Sequence, residues 1–206
     1  MTATKKQVNV AVLVSGGGTN LQALIDAQNS GIIKDGKIVL VVSNKQGAYA
    51  LERAKNNGID SATVLKKDYA SQTDFEDAIL ALFNKYSIDL VVLAGFLSIL
   101  SPHFISAYRN RIINVHPSLI PSFCGKGYYG LKVHEEALKY GVKVTGATVH
   151  FVNEIPDGGQ IIMQKAVAIR PCDTAETLQQ RVMKIAEWKI LPQAVQKVSK
   201  QILQEN

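Results

Sequence analysis

An almost wholly apolar stretch that runs into three consecutive glycines sets the strongest limit on how this chain can fold. The stretch, Val8–Val14, is rich in β-branched residues, which indicates a central strand of a parallel sheet covered on both faces. Gly16, Gly17 and Gly18 follow, and residues 21–27 are then good helix formers. A strand, a glycine loop and a helix in this order direct free backbone N–H groups towards an anion.

The glycine loop, with Thr19 and Asn20, is predicted to bind a single phosphate group. A dinucleotide-binding loop would have a third glycine where Leu21 stands, and an acidic ribose ligand near Lys45. The chain also has no Gly-Lys-Ser or Gly-Lys-Thr sequence of the kind that binds ATP. A simple tight turn is the alternative, although three glycines exceed what a turn requires.

Strand and helix patterns alternate along the chain, which predicts an α/β fold with a doubly wound, mostly parallel sheet. After the first strand, further strands are expected at residues 37–43, 61–65, 89–93 and 112–115, and helices at 48–57, 73–86, 102–108 and 131–140. Residues 144–152 and 161–169 then predict an antiparallel strand pair, followed by a long C-terminal helix that Pro192 interrupts or restarts. We expect one domain over residues 1–206, with a Rossmann-like, phosphate-binding half at 8–110 and a second half at 111–206.

Two helix starts carry the sequence signature of a capping box. Thr73 and Glu76 form one such pair, and Asp173 and Glu176 form a second. Ser101 is expected to cap another helix, because a proline at the first helical position follows it.

An amide and an imidazole close the predicted strand at residues 112–116. Asn114 and His116 are two positions apart, so both side chains point to the same side of an extended strand. Such a pair can receive negative charge that develops on a carbonyl oxygen. The ordinary alternative is that nearby backbone groups satisfy both side chains. Because ligands bind beyond the carboxyl ends of parallel strands, the glycine loop, Gly95, Phe96 and this pair should share one crevice.

Composition narrows the class of protein further. The net charge is +6 and the pI about 9.2, with dispersed basic residues; this fits small anionic substrates, nucleic acid or plain solubility. No apolar run reaches the roughly 18 residues of a membrane span, and the polar residues 1–7 do not begin a signal peptide. Cys124 and Cys172 have no metal-type spacing, and together these features predict a cytoplasmic protein without a metal.

Several stretches resemble one known family over about residues 8–195. They are Ser15-Gly-Gly-Gly-Thr-Asn-Leu, Ser43-Asn-Lys, Leu51-Glu-Arg-Ala, Val92-Leu-Ala-Gly-Phe, Asn114-Val-His-Pro-Ser-Leu-Ile-Pro, Gly146-Ala-Thr-Val-His and Asp157-Gly-Gly. Together they are similar to the phosphoribosylglycinamide formyltransferases, the folate-dependent formyltransferase family of purine synthesis. The resemblance implies formyl transfer from 10-formyltetrahydrofolate to the amino group of 5′-phosphoribosylglycinamide, with these two small molecules as the partners and neither nucleic acid nor membrane.

The resemblance also implies a role for particular residues. Asn114, His116 and Asp157 would be catalytic, with Asn114 and a protonated His116 donating to the oxyanion and Asp157 raising the pKa of His116 and relaying the proton. The ribonucleotide would be bound by Gly16, Gly17, Gly18, Thr19, Asn20, Pro117 and Glu187. The folate would be bound by Phe96, Leu97, Ser98, Ile99, Leu100, Asn114, Glu154, Ile155 and Asp157. Ser98 stands where family members often have arginine, and the residue that meets the folate glutamate has no counterpart.

Three other functions have to be weighed. Transfer-RNA formyltransferases have glycine in place of Pro117 and an additional C-terminal domain, and formyl-folate hydrolases have a second histidine there and an additional N-terminal domain. This sequence shows neither pattern. A nucleotide- or RNA-binding module would leave Asn114, His116 and Asp157 without a role. The sequence does not decide between a monomer and a weak homodimer.

Overall fold

A seven-stranded mixed sheet forms the centre of the computed structural model, which describes residues 7–205. The strands are β1 (Val8–Val14), β2 (Gly36–Ser43), β3 (Asp60–Thr63), β4 (Leu90–Leu93), β5 (Ile112–His116), β6 (Val144–Phe151) and β7 (Ile161–Ala168). Residues 1–6, most of the segment whose polarity argued against a signal peptide, lie outside the described part.

Helices connect the strands and cover both faces of the sheet. They are α1 (Thr19–Asn29), α2 (Tyr49–Asn56), α3 (Gln72–Lys85), α4 (Pro102–Ala107), α5 (Leu131–Tyr140), α6 (Ala175–Val182) and α7 (Trp188–Glu205), with a 3-10 turn at Lys66–Asp68 and a π-helical turn at Met183–Glu187. The predicted third strand is shorter than expected, and the other predicted elements agree to within a few residues. None of the helices in the described part is long and apolar enough to cross a membrane.

The strand order confirms the predicted fold class. The order is β3-β2-β1-β4-β5-β6-β7, with parallel pairing from β3 through to β5. Strand β6 pairs antiparallel with β5, and β7 pairs antiparallel with β6. The carboxyl ends of β1, β4 and β5 therefore meet at one edge of the sheet, where ligands bind in folds of this type.

Alternating residues of β1 belong to two separate hydrophobic clusters, one on each face of the sheet. Val10 and Val12 pack in the cluster that contains α1 and α7, whereas Ala11 and Leu13 pack in the cluster that contains α3 and α4. All four are fully buried, as the continuous apolar pattern of β1 predicts for a strand covered on both sides.

The predicted capping box of α3 is wrong because tertiary contacts recruit its glutamate. Ser71, not Thr73, is the N-cap, and its hydroxyl accepts a hydrogen bond from the backbone N–H of Asp74 (3.1 Å). Glu76 is buried and accepts from the backbone N–H of Ser101 (2.8 Å), at the start of α4. Ser101 caps α4 as expected, with proline at the first helical position.

The predicted start of the C-terminal helical region is also displaced by one residue. Thr174 is the N-cap of α6 and forms a reciprocal capping box with Thr177, whereas Asp173 pairs with Arg181. The interruption of the helical region falls in the π-helical turn before α7. Pro192 lies inside α7.

Candidate active site

Four polar side chains meet where strands β5 and β6 pair. Asn114 and His116 are alternate residues of β5, and the antiparallel register places His150 opposite Asn114 and Thr148 opposite His116. Residues that face each other in this way share one side of the sheet. Strand β6, which is distant in sequence, thus adds His150 and Thr148 to the predicted pair of Asn114 and His116.

Asp157 lies between the two histidines of this group. Its carboxylate oxygens are 3.5 Å from Nδ1 of His116 and 3.6 Å from Nε2 of His150, and one of them accepts from the backbone N–H of Gly125 at 2.8 Å. Asp157 has a φ of 56°, in the left-handed region that aspartate tolerates better than most residues. Gly159 is required for the same turn, because a Cβ there would lie 1.7 Å from the carbonyl oxygen of Phe151.

His150 orients the catalytic candidate Asn114. Its Nδ1 donates to the carbonyl of Phe151 (2.7 Å), which leaves Nε2 of the neutral ring to accept from Nδ2 of Asn114 (3.2 Å). An irregularity in the β6–β7 register at Val149 and His150 is typical of strands beside functional sites. Sequence reasoning assigned no role to His150, because that role depends on the register of β6 against β5.

Burial and charge set the protonation of the site in opposite directions. Burial lowers the pKa of His116, and the nearby Asp157 carboxylate offsets only part of this effect. Burial alone would raise the pKa of Asp157, but the contacts with His150 and His116, with the Gly125 N–H, outweigh it and hold this pKa below its usual value. The site therefore favours a neutral His116 beside an ionised Asp157, in contrast to the protonated histidine expected from sequence.

The ring of His116 is engaged by a loop in this structure. Its Nε2 donates to the carbonyl of Phe123 (2.9 Å), so in the neutral ring Nδ1 carries no proton. Nδ1 therefore has no proton to donate to the Asp157 carboxylate, 3.5 Å away, as long as the ring is neutral and donates through Nε2. Phe123 itself has a φ of 49°, which is unusual for a bulky residue.

One cavity of about 690 Å³ collects most of the predicted site residues. Among the predicted residues, those that line it are Thr19, Asn20, Phe96, Leu97, Ser98, Ile99, Asn114, His116, Pro117, Asp157 and Glu187. The start of α1, the ends of β4 and β5 and the π-helical turn thus reach a common crevice, whereas the three glycines lie outside its lining. The tertiary structure brings these segments together across most of the chain length.

Six of the predicted residues do not line this cavity; they are Gly16, Gly17, Gly18, Leu100, Glu154 and Ile155. Leu100 is buried in the hydrophobic cluster around α3 and α4. Glu154 is exposed and pairs with Arg109 at 2.8 Å, and Ile155 is 66% exposed. Ser98, which does line the cavity, accepts from the side-chain amide of Asn44 (2.8 Å).

The three glycines of the loop differ in why the chain needs them. Gly18 has a φ of 71°, and a Cβ there would lie 2.6 Å from the Cβ of Ala50, so both conformation and packing require glycine. A Cβ on Gly16 or Gly17 would meet nothing within 4 Å. None of the hydrogen bonds that link residues 7–205 uses the backbone N–H groups from Gly17 to Asn20. Open space beside free donors is what a closely approaching anion requires.

Glu187 is a buried carboxylate at the end of the π-helical turn. Its side chain accepts from the amide of Asn20 (2.8 Å), and burial raises its pKa to about 7, although the Asn20 bond acts against this rise. The other amide atom of Asn20, Oδ1, is buried and has no partner among the described atoms. Because Asn20 lines the cavity, this unpaired oxygen lies beside the space that a ligand would occupy.

We expect the raised pKa of Glu187 to make folding stability depend on pH. A shift from 4.5 to about 7 means that folding favours the protonated form. The corresponding stability, about 3 kcal/mol at most, is complete below pH 4.5 and lost as the pH rises to about 7. Chemical denaturation of wild type and Glu187→Gln at several pH values should show the stability difference moving against wild type over this range.

The exposed Glu135 provides a matched control for that experiment, through Glu135→Gln. If the difference between wild type and Glu187→Gln stays constant from pH 4.5 to 8, burial does not hold a proton on Glu187.

His134 is a second histidine without a role in the sequence analysis. It is fully buried, lines the same cavity, and neither ring nitrogen has a partner among the described residues. Burial, followed by the effect of His116, lowers its pKa to about 4. A polar position on the inner face of α5, after the loop that leaves β5, was the only sequence signal. Within residues 7–205 no cluster of three or more histidine, cysteine or acidic side chains is suited to a metal ion.

Comparisons with known proteins point in one direction. Residues 8–195 match the formyl transferase family. The chain is 43% identical to phosphoribosylglycinamide formyltransferase of Haemophilus influenzae, with 89% of this chain and 83% of that protein covered. It is also 46% identical to the trifunctional purine biosynthetic protein adenosine-3 of Homo sapiens, with 95% of this chain covered but only 19% of that protein. The crystal structure of glycinamide ribonucleotide transformylase 1 from Symbiobacterium toebii superimposes with a TM-score of 0.90 at 38% identity, covering 98% of this chain and 92% of that one.

Proposed function

Because the chain belongs to the formyl transferase family, we propose that it transfers the formyl group of 10-formyltetrahydrofolate to the amino group of 5′-phosphoribosylglycinamide. The observation that carries the proposal is the position of Asp157, within 3.6 Å of both His116 and His150, in a cavity that Asn114 also lines. The same cavity contains Asn20 and Glu187, as the binding of a phosphorylated amine beside a folate requires.

The proposed reaction is a direct attack of the amine on the formyl carbon. A C–N bond forms, the carbonyl oxygen becomes an oxyanion, and the bond from the formyl carbon to the folate nitrogen then breaks. The Nδ2 of Asn114 donates to the oxyanion, and its orientation is maintained by the hydrogen bond to His150. The neutral His116 takes the proton that the amine loses and returns it to the leaving nitrogen, and the Asp157 carboxylate stabilises the imidazolium that forms in between.

His116 can take part in this transfer only when its Nε2 is released. The carbonyl of Phe123 accepts from Nε2 at 2.9 Å, so this loop has to move away, or the ring has to rotate. The ring proton then has to lie on Nδ1, facing Asp157, so that Nε2 is free to accept the proton of the amine. Hydrophobic side chains at the mouth of the cavity, Leu97 and Ile99, are more than half exposed. We propose that they contact the folate ring system, because burial of their surface would then favour binding.

The two substrates have separate places in this proposal. The phosphate lies on the N–H groups of the glycine loop, and Glu187 accepts from the substrate amine. The folate lies against residues 96–99 and the turn at Asp157. The phosphate-binding part thus falls in residues 8–110, and the catalytic groups and the turn at Asp157 fall in residues 111–206.

A formyl-transfer assay tests the function directly. Folate absorbance is followed in a reaction with both substrates and in one with the formyl-folate alone. A third reaction contains the ribonucleotide alone, and mass spectrometry identifies the formylated product. Turnover that requires both substrates is expected. Folate consumption without the amine would instead establish formyl-folate hydrolysis, the main competing activity.

Replacing Gly17 with valine should separate the two substrate sites. A side chain at this position enters open space, so the fold should be retained, but it would obstruct the N–H groups beside it. We expect the KM for the ribonucleotide to rise roughly tenfold or more, because hydrogen bonds to a charged phosphate are lost, while folate affinity changes little. Inorganic phosphate should compete with the ribonucleotide in wild type, and NAD should not bind.

Calorimetric titration of each ligand into wild type and Gly17→Val measures this effect. Gly18→Ala is the informative comparison, since it should instead lower thermal stability through its contact with Ala50. Loss of folate binding with retained ribonucleotide binding in Gly17→Val would reverse the assignment of the two sites.

A further inference from the structure

Three consecutive carbonyl groups of the glycine loop accept hydrogen bonds from donors on α2 or α1. The carbonyl of Gly16 accepts from the backbone N–H of Ala50 (3.1 Å), and that of Gly18 accepts from the N–H of Gln22 (2.9 Å). Between them, the carbonyl of Gly17 accepts from Nε of Arg53 (2.8 Å). Arg53 is thus the only side chain among the three donors.

These hydrogen bonds determine the direction of the N–H group in each of the three peptides, which belongs to the residue after the carbonyl. In a planar trans peptide the C=O and N–H bonds point in opposite directions. Fixing the carbonyls of three successive residues towards α2 and α1 therefore directs three successive N–H groups, those of Gly17, Gly18 and Thr19, to the opposite side of the loop. No acceptor within the described chain uses these N–H groups.

Arg53 is itself held in place by two further contacts. Its Nη1 donates to the side-chain oxygen of Gln22 (3.0 Å), and its guanidinium lies over the ring of Tyr49, 4.9 Å from the ring centre. A planar group with several donors can form all of these contacts at once, whereas a lysine ammonium cannot. A Cβ on Gly17 would meet no atom within 4 Å, so the Arg53 hydrogen bond to its carbonyl is the side-chain contact that restrains this peptide.

Arg53 lies away from the cavity that contains the catalytic candidates. It is absent from the lining of the 690 Å³ cavity, and lines instead a second cavity of about 470 Å³ together with Gln22. Thr19 lines both cavities, so the glycine loop and the start of α1 lie between Arg53 and the substrate side.

We propose that Arg53 is a positioning residue that holds the Gly17–Gly18 peptide with its N–H towards the phosphate of the ribonucleotide, without contacting the substrate. This inference rests on the proposed function, because it assigns the phosphate to the glycine loop. It predicts that the directional hydrogen bond matters more than the positive charge. Lysine at this position keeps the charge but loses the three-contact geometry.

The test compares Arg53→Lys and Arg53→Ala with wild type. Both variants should raise the KM for the ribonucleotide about tenfold, the size of effect expected when a hydrogen bond from a charged donor is lost. The kcat and the KM for the folate should remain within about twofold, because the catalytic groups lie elsewhere. Titration of inorganic phosphate should show the same weakening in both variants, to an equal extent at low and high salt.

Lys55→Ala is the matched control, since it removes an exposed positive charge from the same helix. It should leave all parameters unchanged, and thermal unfolding of each variant reports on the fold. Phosphate affinity of wild-type strength in Arg53→Lys would overturn the inference in favour of a charge effect. An equal rise in KM for the ribonucleotide and for the folate would overturn the inference, because it would indicate general destabilisation of the fold. Wild-type protein that binds phosphate but forms no formylated product would refute the proposed function alone, since phosphate titration of the variants still tests Arg53.

Discussion

Replacing His116 with alanine should lower kcat by about a thousandfold, within the range that loss of a positioned proton-transfer group produces. His116 contacts both the Asp157 carboxylate and the carbonyl of Phe123, and burial favours the neutral ring, which can accept a proton. The affinity for the ribonucleotide should stay close to that of wild type, because the phosphate is assigned to the glycine loop. Single-turnover rates and calorimetric titration measure the two quantities separately.

His103 provides a matched control for this substitution. It is an exposed histidine that also contacts an aspartate, Asp77 at 2.7 Å, but it lies on α4 and outside the cavity. His103→Ala should therefore retain full activity. If His116→Ala keeps activity within a few-fold of wild type, another group carries the proton and the proposed role of His116 is wrong.

Replacing Asp157 with asparagine should lower kcat by about a hundredfold or more, since it removes the charge that stabilises an imidazolium at His116. Asparagine is the appropriate substitution because it tolerates the left-handed backbone at this position and can still accept from the N–H of Gly125. Alanine would add backbone strain to the loss of charge. The stability of Asp157→Asn should thus stay close to that of wild type, while turnover falls.

The pH dependence of Asp157→Asn provides an independent readout. The carboxylate raises the pKa of His116 against the larger effect of burial, so its removal should lower that pKa further. Because the neutral histidine is the active form in our proposal, the acid limb of the kcat profile should move to lower pH. Asp77→Asn, in the exposed pair with His103, is the control. An acid limb that does not move would separate Asp157 from the titration of His116.

Local sequence determined the elements that depend only on neighbouring residues. The apolar pattern of Val8–Val14 predicted a buried central strand, because a strand covered on both faces cannot have alternating polar residues. Ser101 and the proline after it predicted the start of α4. Gly18 takes a left-handed conformation, which glycine adopts without steric cost.

Other features depend on contacts between distant segments and could only be decided by the tertiary structure. Glu76 does not cap α3 as predicted, because it accepts hydrogen bonds in the interior from the backbone N–H and the hydroxyl of Ser101, 25 residues away. His150 joins the candidate site only through the register of β6 against β5.

Protonation shows the same division between sequence and tertiary structure. Sequence reasoning identified His116 and Asp157 and the direction in which one charge acts on the other. The net pKa of His116 depends on how deeply the fold buries it, and this burial outweighs the carboxylate. The sequence likewise showed Arg53 only as one residue of the motif Leu51-Glu-Arg-Ala and predicted no contact for it. Its hydrogen bond to Gly17 joins residues that are 36 positions apart. Local patterns determine which residues can form a strand, a turn or a cap, whereas desolvation and long-range hydrogen bonds exist only once the chain has folded.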